Sequence, residues 1–179
     1  LGLMAVSKFK ALRALIDAYV FVTRGIPVLV IMFVTYYAFP AMGYRISNTA
    51  AVTVALVLYA GAFYADVVRG AIRTLPRGQA EAAASLGIPR RWVMLDILLP
   101  QAVKPSIPPW LNTSIVMVKS TSYASIVGAW ELTYASKEVV ERTLATFEIF
   151  SVVMLFYFVI CWPLSLLSRH LEQQSAVAN

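Results

Sequence analysis

Residues 147–167 carry one charged side chain, Glu148, at the start of the run. About 20 consecutive apolar residues are what a helix needs to cross the hydrocarbon core of a bilayer. Such a run constrains the fold strongly, because lipid offers no partners to backbone groups and a single helix satisfies its own. Residues 26–42 and 49–68 are apolar in the same way, and a further stretch runs from the prolines at 105, 108 and 109 to about residue 126. The whole chain is 60% hydrophobic and 13% charged, with mean hydropathy +0.73. An average soluble domain is about 25% charged. A soluble domain of 179 residues could not bury this much apolar surface. The composition therefore predicts an all-α polytopic membrane protein covered by lipid.

The basic residues report the orientation. Lys8, Lys10, Arg13, Arg24, Arg69, Arg73, Arg77, Arg90, Arg91, Lys104 and Arg169 fall on one side of the predicted spans, and Arg45, Lys137 and Arg142 on the other. The richer side is expected to be cytoplasmic. The net charge of +6 is thus a topology signal, and no nucleic-acid partner is expected. Cys161 stands alone in an apolar run, which excludes disulfides and cysteine metal sites within the chain. His170 has no nearby nucleophile and reads as a solvated residue near the interface. No HExxH, paired CxxC or phosphate-binding glycine loop is present, so the chain is expected to be neither an enzyme nor an ATPase, and to need no cofactor of its own.

Taken in order, residues 1–6 read as the tail of an apolar segment that begins upstream. Residues 8–23 place Leu12, Leu15, Ile16, Tyr19 and Val20 on one helical face, with Arg13 and Asp17 paired on the other. This predicts an amphipathic helix in the inner interface. Pro27 starts the next helix, and Tyr36, Tyr37 and Phe39 suit the far headgroup belt. Asn48 is a predicted N-cap for the span 49–68, where Gly61 would permit close helix packing. The three prolines predict a third span that is kinked or starts late. Residues 128–146 form a polar outer segment. The span 147–167 follows, then a polar tail from residue 168.

Between the second and third spans lies the longest soluble-looking stretch. Residues 79–86 are alanine-rich and helical by propensity. Gly87 stands where a helix ends in a left-handed residue. Pro89 can open a second helix and Pro100 close it. Leu86, Ile88, Trp92, Val93 and Leu95, flanked by Arg90 and Arg91, give this elbow the composition of an interface rather than of a solvated loop.

Two ionisable residues fall inside predicted spans. Lys119 lies ~20 Å along its helix from Pro105, a depth at which charge is costly and marks a candidate site. Ser120, Thr121 and Ser122 add hydroxyls without a competing charge, a setting that suits a carboxylate ligand. The alternative is that Lys119 snorkels to the headgroups or pairs with an acid. Asp66, three residues before Arg69, reads first as an interfacial salt bridge and second as a pathway residue.

The elbow carries a specific pattern: Glu81-Ala82-Ala83, Gly87, then Ile97-x-Leu99-Pro100. This resembles, spacing included, the EAA signature of ABC-importer permeases. Arg24-Gly-Ile-Pro27, Val68-Arg-Gly-Ala-Ile72, Pro76-Arg-Gly-Gln79, Lys119-Ser-Thr-Ser122, Glu131-Leu-Thr133 and Arg169-x-Leu171-Glu172 look like the polar amino-acid subfamily. The resemblance covers the whole chain as one transmembrane domain, 1–179, minus the usual first span. It implies a type I importer fold of four to five transmembrane helices in a bacterial inner membrane. It implies a second permease subunit, ATPase subunits that bind the ATP, an extracytoplasmic substrate-binding protein and an amino-acid substrate. Residues 76–100 would be the cytoplasmic coupling loop, with Glu81, Ala82, Ala83, Gly87, Arg90, Ile97, Leu99 and Pro100 at the ATPase contact. The Lys-x-Thr-Ser segment, Lys119 to Ser122, would line the substrate pathway. The family often has an acid where this chain has Ser120, which points away from strongly cationic substrates. The EAA signature also occurs in importers of sugars, metals and anions, so another small solute is the second reading. A channel or polytopic scaffold is a third, distinguished by whether an ATPase co-purifies.

Overall fold

The computed structural model describes residues 10–177, and side chains as far as residue 174. Every regular element among the described residues is helical. Helix α1 is Lys10–Gly25, α2 Val28–Ala41, α3 Asn48–Arg73, α4 Arg77–Ser85 and α5 Arg90–Trp92. A π-helical segment, Val93–Leu98, leads into α6, Leu99–Ser120. A 3₁₀ segment, Thr121–Val127, then precedes α7, Leu132–Thr143, and α8, Thr146–Val177.

Helix α3 is the spine. It buries Ala51, Ala55, Ala62, Ala65 and Ala71 at helical spacing. Small side chains let backbones approach closely, which matters in lipid because helix association there rests on packing. Its N-terminal part packs with Met32 of α2 and with Ala124 and Val127 of the 3₁₀ segment. Its C-terminal half holds Ile16 and Val20 of α1 against Ala62 and Ala65. Its last turn, Ala71 and Ile72, meets Ala102 of α6. Helix α6 lies against α3 and α8.

Among the described residues two helices, α3 and α8, are long and apolar enough to cross a membrane. Helices α1 and α2 add a third span if counted together, although they bend by 107° at Gly25–Pro27. Alone, the 14 residues of α2 reach only about 21 Å, short of a ~30 Å hydrocarbon core. The expected third span corresponds to α6. That helix stops at Ser120 rather than near residue 126, and its composition keeps it out of the set that qualifies on hydropathy.

Several local expectations are corrected. Of the two expectations for α6, a kink or a late start, the late start is excluded: Pro105, Pro108 and Pro109 all lie inside it. Proline is tolerated within membrane helices where neighbours and side chains take up freed backbone groups. Pro100 does not close the preceding helix but sits in the first turn of α6, where its missing N–H costs little. The π-helical turn before it already shifts the hydrogen-bond pattern. The polar residues 168–177 continue α8. Asp17 pairs with Arg69 across the helix interface and not with Arg13 on its own helix. Leu15, placed on the apolar face, is exposed.

The start of α3 is also different. Ser47, not Asn48, is the N-cap, accepting from the Ala50 N–H at 3.1 Å. The Asn48 amide instead donates to the carbonyls of Val127 (2.9 Å) and Gly128 (3.2 Å). Gly128 has φ +70°, and a Cβ there would come within 3.3 Å of the Asn48 amide nitrogen. Asn48 thus clips the turn that ends the 3₁₀ segment onto the N-terminal end of α3. Ser47→Ala should cost about 1 kcal/mol, the usual value of an N-cap. Asn48→Ala should cost about 1–3 kcal/mol, because it strands the partly buried Val127 carbonyl. Thermal unfolding in detergent should therefore show the larger drop for Asn48→Ala. The reverse ranking would mean that the clip adds nothing to stability.

Candidate functional site

The elbow is built from a short helix with a complete C-terminal cap. Alanines carry α4 to Ser85, and Leu86 leaves the helix. Gly87 takes φ +72°. Its N–H donates to the Ala84 carbonyl at 3.0 Å, and the Ile88 N–H reaches back to Ala83 at 3.0 Å. This is the paired bonding of a Schellman motif, with its apolar contact between Ile88 and Ala83. Nothing lies within 4 Å of a Cβ built on Gly87, so its backbone angle, not space, calls for glycine there.

Ala83, Val93 and Leu98 form a small core under the elbow, with Ile88 and Ile97 half-buried around it. The signature residues divide accordingly. Ala83 is buried, Ile97 and Leu99 are half-buried, and Glu81, Ala82, Gly87, Arg90 and Pro100 are exposed. Glu81, Arg77 and Arg90 line one cleft of ≈ 400 Å³ with no ion pair among them. Leu86 (78% exposed), Trp92 (49%) and Leu95 point outward, and the Arg91 guanidinium sits 5.3 Å from the Trp92 ring centre. An elbow with its own core can keep its shape while offering these side chains to another surface.

One connection has no periodic signal in the sequence. Gln79 and Gln101 face each other with reciprocal amide hydrogen bonds of 2.9 Å each way. The Gln101 amide also donates to Ile97 O at 2.8 Å. This strut ties α4 directly to the first turns of α6.

At the other end of α6, Lys119 is exposed in the last turn, where the helix dipole favours a cation. It has no ion pair or side-chain hydrogen bond among the described residues. Ser120 is buried and donates to Val116 O at 2.9 Å. Thr121 donates to Val118 O at 2.7 Å and Ser122 to Lys119 O at 2.8 Å. A hydroxyl has one hydrogen, so these three can only accept from a ligand. Here the ammonium of Lys119 suits a carboxylate, and the hydroxyl oxygens suit an N–H donor.

Asp66 lies elsewhere. It pairs with Arg24, at the end of α1, and with Arg69 at 2.7 Å, while Arg69 also pairs with Asp17. Arg69 is only 12% exposed, and Arg24 additionally lies over the Phe63 ring. The four charges join α1 to α3 at the α1–α2 bend. Lys119 lies five residues past Ser114, whose partner Tyr64 stands two residues before Asp66, so the two charges are offset by roughly 10 Å along the helix pair. No ion pair joins them.

Three polar links were not anticipated. Tyr64 of α3 shares a 2.7 Å hydrogen bond with Ser114 of α6 and meets Trp110 edge-on. Ser168 of α8 is buried, donating to Pro108 O (3.2 Å) and Asn112 Oδ1 (3.1 Å), while Asn112 donates to Glu172. Glu131 caps α7 through both oxygens, on the N–H groups of Thr133 and Tyr134, and accepts from Tyr157 of α8 at 3.4 Å. Only Glu131 had a sequence signal, as an acid at the start of a helical stretch.

Residues 1–176 match the family model of the binding-protein-dependent transport system inner membrane component. A probable glutamine ABC transporter permease of Bacillus subtilis is 40% identical over 173 residues, which is 97% of this chain and 80% of that protein. An L-cystine transport system permease of the same organism is 34% identical, with 97% and 74% covered. The crystal structure of an amino acid ABC transporter with histidines superposes with a TM-score of 0.88 at 31% identity, covering 97% of this chain and 81% of that one. The chain therefore belongs to the binding-protein-dependent transport system inner membrane components: it is a membrane permease of an ABC transporter, a transport subunit and not an enzyme.

Proposed function

We propose that this permease forms the pathway for a polar amino acid in an importer of a bacterial cytoplasmic membrane, with the elbow inside and α7 outside. A second permease subunit would complete the pathway, an ATPase subunit would dock on the elbow, and a substrate-binding protein would deliver from outside. The observation that carries the reading is the elbow itself. Its signature residues fold into a helix capped at Gly87, with Leu86, Trp92 and Leu95 turned outward and Gln79 strutted to α6. A lever needs a rigid body, an external contact and a connection to the part it moves, and two discrete states to move between. The elbow supplies the first three.

The substrate assignment is supported by relatives named for glutamine and cystine transport, and by the unpaired Lys119 beside hydroxyl acceptors. A zwitterion offers a carboxylate to the lysine and an ammonium to the hydroxyl oxygens. Asp66, engaged with two arginines, acts in this reading by holding the α1–α2 bend and not by touching substrate.

Gly87→Val should abolish uptake and the coupling of ATP hydrolysis to substrate. A β-branched residue at φ > 0 is an outlier, and left-handed backbone costs ordinary residues about 1–2 kcal/mol. Gly87→Asn should keep much of the activity, since asparagine visits that region. Wild-type uptake by the valine variant in proteoliposomes would refute the lever. Lys119→Met should leave ATPase docking intact and cut uptake at least tenfold, the value of about one charge-assisted hydrogen bond. Normal uptake by that variant would return Lys119 to a snorkelling role. Asp66→Asn should lower the thermal stability while leaving the KM for uptake unchanged, and a raised KM at normal stability would put Asp66 in the pathway.

A further inference from the structure

The root of the elbow holds a second cleft, and it is basic. It is ≈ 510 Å³ in volume, with Arg73 and Arg77 at its rim and Ile72, Leu75 and Leu98 among its walls. Neither arginine has an ion pair or side-chain hydrogen bond among the described residues, although Arg24, Arg69 and Arg142 all do. Both are exposed.

Position narrows the ligand. Arg73 is the last residue of the 26-residue spanning helix α3. That helix is about 39 Å long, so its end reaches past a ~30 Å hydrocarbon core into the headgroup layer. Ala102 of α6 packs on the same turn of α3. The cleft is therefore a basic recess at headgroup depth, and its accessible apolar edge is Leu75, Pro76 and Ala80, because Ile72 and Leu98 are buried in the adjoining cores. A soluble anion would use the arginines and gain nothing from Leu75, Pro76 and Ala80. A phospholipid uses both, with its phosphate on the guanidinium groups and its glycerol and upper acyl carbons on the apolar edge.

We infer that the cleft between the end of α3 and the start of α4 binds an anionic phospholipid, with Arg73 and Arg77 holding its phosphate. A lipid held there touches α3, the spine of the fold, and Arg77, the first residue of the elbow helix. It would steady the junction about which the elbow moves. This goes beyond the transport reading and does not depend on which solute is carried.

Native mass spectrometry of the assembly extracted in detergent, titrated with phosphatidylglycerol or phosphatidylcholine, tests it. The wild type should retain phosphatidylglycerol and release phosphatidylcholine. The Arg73→Gln/Arg77→Gln variant should bind phosphatidylglycerol about 30-fold more weakly, roughly fivefold for each basic residue held at an anionic surface. Arg73→Lys/Arg77→Lys should stay within about threefold of wild type, because a lysine still serves a phosphate as a point charge. Arg13→Gln, on α1, should bind as wild type. Phosphatidylglycerol retention unchanged in the double glutamine variant overturns the inference, as does equal retention of both lipids by the wild type. Displacement of the lipid by millimolar inorganic phosphate overturns it in favour of a simple anion site. Lipid binding that appears only once the ATPase subunits are stripped away overturns it in favour of a protein occupant. The lipid and phosphate comparisons use wild-type protein alone, so they decide the case even if the glutamine variant fails to assemble.

Discussion

Close packing on the alanines of α3 is the interaction on which the rest of the fold depends. Hydrophobic burial does little to drive one lipid-covered helix against another, so shape and polar contacts decide which faces meet. Ala51, Ala55, Ala62, Ala65 and Ala71 leave a shallow channel along α3. Different stretches of it take the 3₁₀ segment and α2, then α1, then α6. Polar contacts fix the register at each station. Asn48 clips the turn that ends the 3₁₀ segment, Tyr64 meets Ser114, and the Asp17–Arg69–Asp66–Arg24 network holds the bend. A bulky residue at Ala55 or Ala62, both fully buried, would push a partner helix away and lose contacts at neighbouring stations as well.

The two ends of α6 are chemically opposite. Its first turn is fastened to the elbow by Gln101 and flanked by unpaired arginines. Its last turn carries an unpaired lysine and then dissolves into a 3₁₀ segment that Gly128 closes. Between them, the helix is held on α8 by buried Ser168 and on α3 by Tyr64. One element therefore connects the surface that would receive mechanical work to the residues that would meet a solute.

The elbow was legible in the sequence because its signals are local. A glycine after an alanine run, a proline two residues later and a fixed spacing of apolar positions all report on backbone within a few residues. The apolar runs of α3 and α8 were legible for the same reason. The misread details depend on distant partners. Asn48 caps nothing because Val127 and Gly128, remote in sequence, compete for its amide. Arg13 loses Asp17 to Arg69. Pro105, Pro108 and Pro109 stay inside a helix because α3 and α8 flank it, which a local rule cannot see. Lys119 was singled out by its depth, but the direction of the neighbouring hydroxyl protons, which limits those groups to accepting, emerged only from the fold.

The Gln79–Gln101 strut has a consequence of its own. Each amide both gives and takes a hydrogen bond, so the pair is closed and neutral. Neither group titrates, and there is no charge for salt to screen. An arginine–glutamate pair in that place would bring the elbow and α6 together more tightly at low salt than at high. The strut instead gives the junction a stiffness indifferent to the ionic strength and pH of the compartment around it, so osmotic or acid stress would reach α6 through other contacts.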